Sequence, residues 1–216
     1  MPEPERRNPY GRIVDISPAI SAATAVWPGD APFQRTEPHS LERGDTISLD
    51  VVTTTLHLGA HVDAPSHFAR GAASVEQLPL AAFIGPAVVI DAPVLRDGSI
   101  APISPEAIVA PRVLVRTGSW TDRTRFPEHF AALNEAHVAL LAASGVILLG
   151  IDLPSVDPAD SKELPNHHKL FSAGIAILEQ VDLQMAPAGE YTLVALPLNI
   201  CGATASPVRA VLLKAL

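Results

Sequence analysis

The chain has 216 residues, of which 48% are hydrophobic, and a formal net charge of −8 at pH 7. This length suits one compact domain with a sizeable core, and the negative charge, without a cluster of lysines and arginines, argues against a nucleic-acid partner. Cys201 is the single cysteine, which excludes an intramolecular disulfide and favours a cytoplasmic location.

The first segment of the chain is polar and rich in charge and proline. Because of this composition, we expect residues 1 to 11 to form a flexible tail. These residues lack the apolar segment of a signal peptide. A single domain is then expected over residues 12 to 216. The longest uncharged apolar stretch, 138–151, is shorter than the ~20 residues that a membrane span needs, so we expect no membrane crossing.

Short runs typical of β-strands follow one another along the domain. Apolar and β-branched residues predict strands at 12–17, 46–55, 87–92, 113–116, 146–151, 174–178, 191–197 and 208–213. One short helix is predicted after Ser104, with Pro105 at its first position, and a longer one over 128–143. The 21 prolines separate these elements by stiff turns. The pattern predicts an α/β fold, a single mixed and β-rich domain.

Four potential metal ligands lie between the second and third predicted strands, within eleven residues. They are His57, His61, Asp63 and His67. All four occupy odd-numbered positions, so an extended chain would place them on one face, and Pro65 opposes a helix. Any one of these histidines could be an ordinary loop residue, but together they predict a metal site.

Full extension of this segment is incompatible with a single ion. At about 3.3 Å per residue, His57 and His61 would lie roughly 13 Å apart, too far to share one metal. Either the chain bends, for which Gly59 supplies backbone freedom, or Asp63 bridges two ions. We expect both.

A two-metal site needs further ligands, and one later region offers them. His167 and His168 precede an apolar strand that ends at Glu179. Adjacent histidines are often surface residues, and a glutamate at a strand end usually faces water. The loop 152–158 also follows a strand, where functional loops are common, although its acids could equally cap turns.

Together these motifs resemble the cyclase-like metal-dependent hydrolase family. The segment 57–67 is similar to the signature His-x-Gly-x-His-x-Asp-x-Pro-x-His of that family. Other segments that carry the resemblance are 15–18, 26–33, 150–158 and 205–211. The segments with Trp27 and the aspartates resemble the bacterial kynurenine formamidase (arylformamidase) branch. Pro165 departs from the pattern, because a polar residue is expected before the histidine doublet.

The resemblance implies a swivelling β/β/α fold, two divalent metal ions, most simply zinc with manganese as the second choice, and a homodimer. It implies the following metal ligands: His57, His61, Asp63 as the bridge, His167 and Glu179. His168 is the rival of His167, since the doublet permits a slip of one position. His67 is implied as the proton-transfer residue, and Trp27 as part of the substrate pocket, although a tryptophan at such a position is more often a core anchor.

The activity that the resemblance implies is hydrolysis of N-formyl-L-kynurenine to L-kynurenine and formate, a step of tryptophan degradation. Metal-activated water would attack the formyl carbon while His67 protonates the departing nitrogen. An isatin hydrolase, or another cyclic-amide hydrolase of the same family, is the alternative enzyme. A metal-binding module or a structural subunit without catalysis is the alternative from other classes.

Overall fold

The computed structural model describes residues 11–214. The expected tail therefore lies almost wholly outside the described residues, and the boundary at residue 12 stays a prediction. Strands and helices, in chain order, are β1 (Arg12–Asp15), β2 (Gln34–His39), β3 (Leu49–Thr53), β4 (His61–Asp63), β5 (Ile84–Asp91), β6 (Arg112–Arg116), α1 (Glu135–Ala143), β7 (Leu148–Ile151), α2 (Pro165–Ser172), β8 (Ala176–Glu179), β9 (Gly189–Val194), β10 (Ala205–Pro207) and β11 (Val211–Lys214).

In the part of the chain that the structure describes, nine strands form one mixed sheet in the order β1-β11-β9-β5-β6-β7-β8-β4-β10. Strands β5, β6, β7 and β8 run parallel to their neighbours in that group, and the remaining pairs are antiparallel. Strands β2 and β3 form a separate antiparallel ribbon, the β2–β3 ribbon. The predicted α/β fold, a single mixed and β-rich domain, is confirmed.

Alternation along the strands separates two hydrophobic layers. On β6, Val113 and Val115 belong to one cluster of buried residues and Leu114 to the other. Successive side chains of a strand point to opposite faces of the sheet. The cluster with Val113 also contains Leu141 of α1 and Leu170 of α2, so both helices cover that face.

Each helix begins where the backbone N–H groups of its first turn find an acceptor or where no N–H group is needed. Asn134 caps α1 by accepting a hydrogen bond from the backbone N–H of His137 at 3.0 Å. The helix therefore begins at residue 135, later than the predicted 128. Pro165 is the first residue of α2, a position that needs no N–H donor. This explains the proline before the histidine doublet, in a helix that sequence analysis did not predict.

Within residues 11–214, no helix combines the length and the apolar character that crossing a membrane requires.

Candidate metal centre

Strand β4 carries two of the predicted ligands, and the neighbouring strand β8 carries a third. His61 and Asp63 are two residues apart on β4, so their side chains leave the same face. His61 lies directly opposite Glu179 in the antiparallel register of β4 and β8. Side chains of such cross-strand pairs are neighbours. Accordingly, Nε2 of His61 lies 3.6 Å from Oε2 of Glu179.

His57 reaches the same site through a bend in the chain. Gly59 adopts the left-handed region with φ +61°, and a Cβ there would lie 3.3 Å from Cγ1 of Ile20. The bend brings the ring centroids of His57 and His61 to 5.1 Å. Nδ1 of His57 lies 2.9 Å from Oδ1 of Asp63. The expected bend at Gly59 is present, and the segment is extended only over β4.

Helix α2 contributes His167, which is held by Asp157. The fully buried Asp157 accepts hydrogen bonds from the backbone N–H groups of Asn166 at 2.9 Å and of His167 at 3.1 Å. Its Oδ2 also lies 2.7 Å from Nδ1 of His167. With Nδ1 engaged, the ring presents Nε2 to Oδ2 of Asp63 at 3.3 Å and to Oε1 of Glu179 at 3.7 Å.

The five side chains form two overlapping groups that share Asp63. His57, His61 and Asp63 each offer a ligand atom within 4.8 Å of the others, and so do Asp63, His167 and Glu179. We call these five residues the metal cluster. A shared carboxylate with two oxygens is the arrangement that a bridging ligand requires.

An unsatisfied nitrogen inside the metal cluster provides a test of whether the cluster suits a cation. Nε2 of His61 is buried and takes part in no hydrogen bond within the described part of the chain. Nδ1 of His61 lies 2.8 Å from the carbonyl oxygen of Gly59. This carbonyl needs a donor, so the proton sits on Nδ1 and Nε2 keeps its lone pair. A divalent metal ion would satisfy this buried nitrogen beside the carboxylate of Asp63, so the donor set fits a divalent cation.

Burial and neighbouring polar groups lower the pKa of one member of the metal cluster and raise the pKa of other members. Burial alone would raise the pKa of Asp63, but hydrogen bonds from His167 and His57 hold it well below its usual range. Burial, reinforced by the charge of Asp63, raises the pKa of Glu179 to about 7. Burial would lower the pKa of His167, yet Asp157 and Asp63 raise it to about 10. A bound cation would have to displace these protons.

His67 lies beside the metal cluster rather than inside it. It ends the 3-10 turn Pro65–His67 that follows β4, with Pro65 at the first position of the turn. The ring centroids of His67 and His57 are 4.1 Å apart. Burial lowers the pKa of His67, and the charge of Asp63 only partly opposes this effect.

A cavity of about 320 Å³ opens beside the metal cluster and is bordered by His57, His67 and Glu179. Trp27, which we predict for the substrate pocket, forms part of its wall and packs edge-on against Phe126 at a centroid distance of 5.0 Å. The buried Gln180 also lines the cavity, with an unusual φ of +59°. Strained residues of this kind occur at binding sites.

The structure separates the two members of the histidine doublet. His167 is 2% exposed and belongs to the metal cluster, whereas His168 is exposed on α2 and packs near Phe68. All the predicted site residues other than His168 therefore border one site.

Sequence analysis assigned no role to Asp157, which holds His167, or to Asp30, Ser155 and Gln180, which line the cavity. Asp157 and Ser155 belong to the post-strand loop 152–158 that we noted as a candidate, but the residues they contact could not be inferred from spacing. Asp152, in the same loop, instead accepts hydrogen bonds from the backbone N–H groups of Thr117 and Gly118.

Comparison with known proteins identifies the family. Residues 14–158 match the family model Cyclase, described as "Putative cyclase". The chain belongs to the cyclase family.

Relatives of this cyclase-family protein cover nearly its whole length. It is 40% identical to a kynurenine formamidase of Bordetella petrii over an alignment of 207 residues. This alignment covers 93% of this chain and 97% of the relative. A solved structure of a potential metal-dependent hydrolase with cyclase activity is 27% identical to this chain, with a TM-score of 0.76. The match covers 95% of this chain and 98% of the chain of that structure. Isatin hydrolase A from Ralstonia solanacearum shares the fold, with 23% identity, a TM-score of 0.77, and coverage of 94% and 92%.

Proposed function

We propose that this protein hydrolyses N-formyl-L-kynurenine to L-kynurenine and formate with the help of divalent metal ions. The observation that carries the proposal is the buried metal cluster, which opens on a cavity with Trp27 in its wall. Identity of 40% to a kynurenine formamidase over 93% of the chain supports this substrate. Isatin hydrolases share the fold, so opening of a cyclic amide is the second candidate.

The metal cluster supports a centre of two ions. One group, His57, His61 and Asp63, would hold the first ion, and the other group, Asp63, His167 and Glu179, the second. Imidazole and carboxylate ligands without a thiolate suit zinc, with manganese as the alternative. Such an ion, when bound, polarises the scissile carbonyl and lowers the pKa of a water molecule so that it can attack.

The residues around the metal cluster supply orientation and proton transfer. His67 borders the cavity beside His57, where its ring can deliver a proton to the departing aniline nitrogen. An aromatic amine is a better leaving group than an alkyl amine, so an imidazole is a sufficient acid. Trp27 offers an aromatic surface against which the ring of the substrate can pack.

The proposed homodimer would form through the β2–β3 ribbon. Within the described residues the ribbon pairs with no other strand, and it exposes the apolar side chains of Leu49, Val51 and Val52. Its charges are partly satisfied within the ribbon, since Arg35 lies 2.8 Å from Asp50. By strand alternation, Leu49 and Val51 share the face opposite to Asp50. This face is the one left to cover, and a second copy would present the same face in return.

The experiment that tests the function is a hydrolysis assay on protein stripped of metal by a chelator and then reloaded with zinc or manganese. We expect no turnover after stripping, recovery on reloading, and a higher kcat/KM for N-formyl-L-kynurenine than for isatin. Full activity without metal would contradict the metal-dependent mechanism. Faster hydrolysis of isatin would establish the second candidate, and metal binding without hydrolysis of either compound would indicate a binding module.

Substitution of His67 tests its proposed role. His67→Ala should keep its metal content, because the ligands remain, while kcat falls by roughly 100-fold or more, the usual contribution of a general acid. Metal analysis and steady-state kinetics measure the two effects. The exposed His168 provides the matched control, and His168→Ala should change neither. An unimpaired rate in His67→Ala would remove the role.

A further inference from the structure

The wall of the cavity combines apolar groups, polar groups and four histidines. Beyond the histidines and Glu179, its lining residues are Trp27, Asp30, Thr55, Pro154, Ser155, Leu164 and Gln180. No lysine or arginine of the described chain is among them. Away from the metal cluster, the described wall therefore offers an aromatic ring and a carboxylate, a combination that suits a positive charge close to an aromatic or apolar body.

Among residues 11–214, Asp30 is the one carboxylate of the cavity wall outside the metal cluster. Its backbone N–H donates to the carbonyl of Trp27 at 2.9 Å, which closes a tight turn in which Gly29 has φ +97°. Within residues 11–214, no cationic side chain pairs with Asp30. The carboxylate therefore borders the cavity with an uncompensated negative charge.

A hydrogen-bonded chain fixes Asp30 relative to the metal cluster. The hydroxyl of Thr55 donates to Oδ2 of Asp30 at 3.2 Å and accepts the backbone N–H of His57 at 3.3 Å. Asp30 is thus held both to the turn that carries Trp27 and to the segment that carries His57. The fixed position suits recognition of one group on a ligand whose scissile bond lies at the metal cluster.

We propose that Asp30 is a specificity-determining residue that binds the α-ammonium group of the substrate. The inference rests on the proposed function, because N-formyl-L-kynurenine carries an ammonium group on the side chain of its aromatic ring. The reactive formamide would lie at the metal cluster and the ring beside Trp27, while the ammonium group donates to Asp30. A charge-assisted hydrogen bond of this kind is stronger than a neutral one.

The test compares two substrates in two proteins. Asp30→Asn keeps an oxygen that can accept from Thr55 but removes the charge. The substrates are N-formyl-L-kynurenine and the same molecule with hydrogen in place of the α-amino group. We expect Asp30→Asn to lower kcat/KM for the amino substrate by roughly 10- to 100-fold, mainly through KM, since hydrogen bonds to charged groups contribute about this much. The rate for the deaminated substrate should stay within about twofold.

Two controls separate recognition from a structural effect. Metal content of Asp30→Asn should equal that of the wild type, which shows that His57 is still in place. Asp97→Asn removes a comparable aspartate, one that accepts from the backbone N–H of Ser99 at 3.0 Å outside the cavity lining, and should leave both substrates unaffected.

Each remaining outcome overturns the inference. An equal loss on both substrates would show that Asp30 only supports the fold of the site, and no loss on either would show that the ammonium group binds elsewhere. Both results leave the proposed function standing. If the wild type hydrolyses neither compound, the proposed function fails and the role of Asp30 fails with it.

Discussion

At the scale of single residues, Asp157 determines how His167 faces the metal cluster. One carboxylate satisfies two backbone N–H groups in the first turn of α2 and also contacts Nδ1 of His167. The residue before α2 is Leu164, whose side chain cannot accept these bonds. Helix capping and ligand orientation therefore depend on the same side chain. A carboxylate behind a metal-binding histidine fixes the ring and its tautomer.

Replacement of Asp157 by asparagine should weaken metal binding by roughly 10- to 100-fold, the usual effect of removing such an outer partner. The amide can still accept from one backbone N–H but no longer provides the charge behind His167. Competition with a chromophoric chelator measures the zinc affinity, and thermal unfolding of the protein without added metal measures the contribution to the fold.

Asp160→Asn is the matched control for this substitution, because Asp160 lies three residues further along and is exposed. Its zinc affinity should equal that of the wild type. Unchanged zinc affinity in Asp157→Asn would mean that His167 needs no support from Asp157. A loss confined to thermal stability would likewise reduce Asp157 to a helix cap.

At the scale of elements, the metal cluster depends on three residues of β4 held between two other strands. Strand β4 pairs with β8 on one side and β10 on the other, and all its residues are buried. His61 and Asp63 therefore project from a backbone that is hydrogen-bonded on both edges. Ligands on such an element are held more closely than ligands on a free loop.

Most strands could be predicted because their local pattern agrees with their burial. Each of the eight strands predicted from apolar and β-branched runs overlaps a strand of the structure. The strands β5 to β8 are the clearest case, since a central strand covered on both faces has a nearly continuous apolar run. The 57–67 segment could also be recognised, because all its potential ligands lie close together in the chain.

The elements that escaped prediction lack such a pattern. Strand β4 is three residues long and carries His61 and Asp63, and β10 contains a proline. Helix α2 has Pro165 at its start and is capped by Asp157 from a distant loop. Their conformation is determined by contacts between parts far apart in sequence. For the same reason, the pairing of His61 with Glu179 could not be derived from spacing.

At the scale of the whole molecule, the β2–β3 ribbon is the part that the single chain leaves least covered. Apolar side chains on the ribbon and on the turn between its strands, Leu41, Ile47, Leu49, Val51 and Val52, are between 46% and 61% exposed. A lone two-stranded hairpin is marginally stable in water, and contiguous exposed apolar residues are typical of interaction surfaces. The proposed homodimer would cover these side chains and stabilise the ribbon.

Charges placed on the apolar face of the ribbon should therefore separate the dimer. Leu49 and Val51 alternate with Asp50 on β3, so they share a face opposite to that of Asp50. In Leu49→Glu with Val51→Glu, association would bury unpaired carboxylates, which is strongly unfavourable. Sedimentation equilibrium should show a dimer for the wild type and for the control Asp50→Asn, and a monomer for the double variant. A monomeric wild type, or a double variant that remains dimeric with unchanged circular dichroism, would contradict an interface through this ribbon.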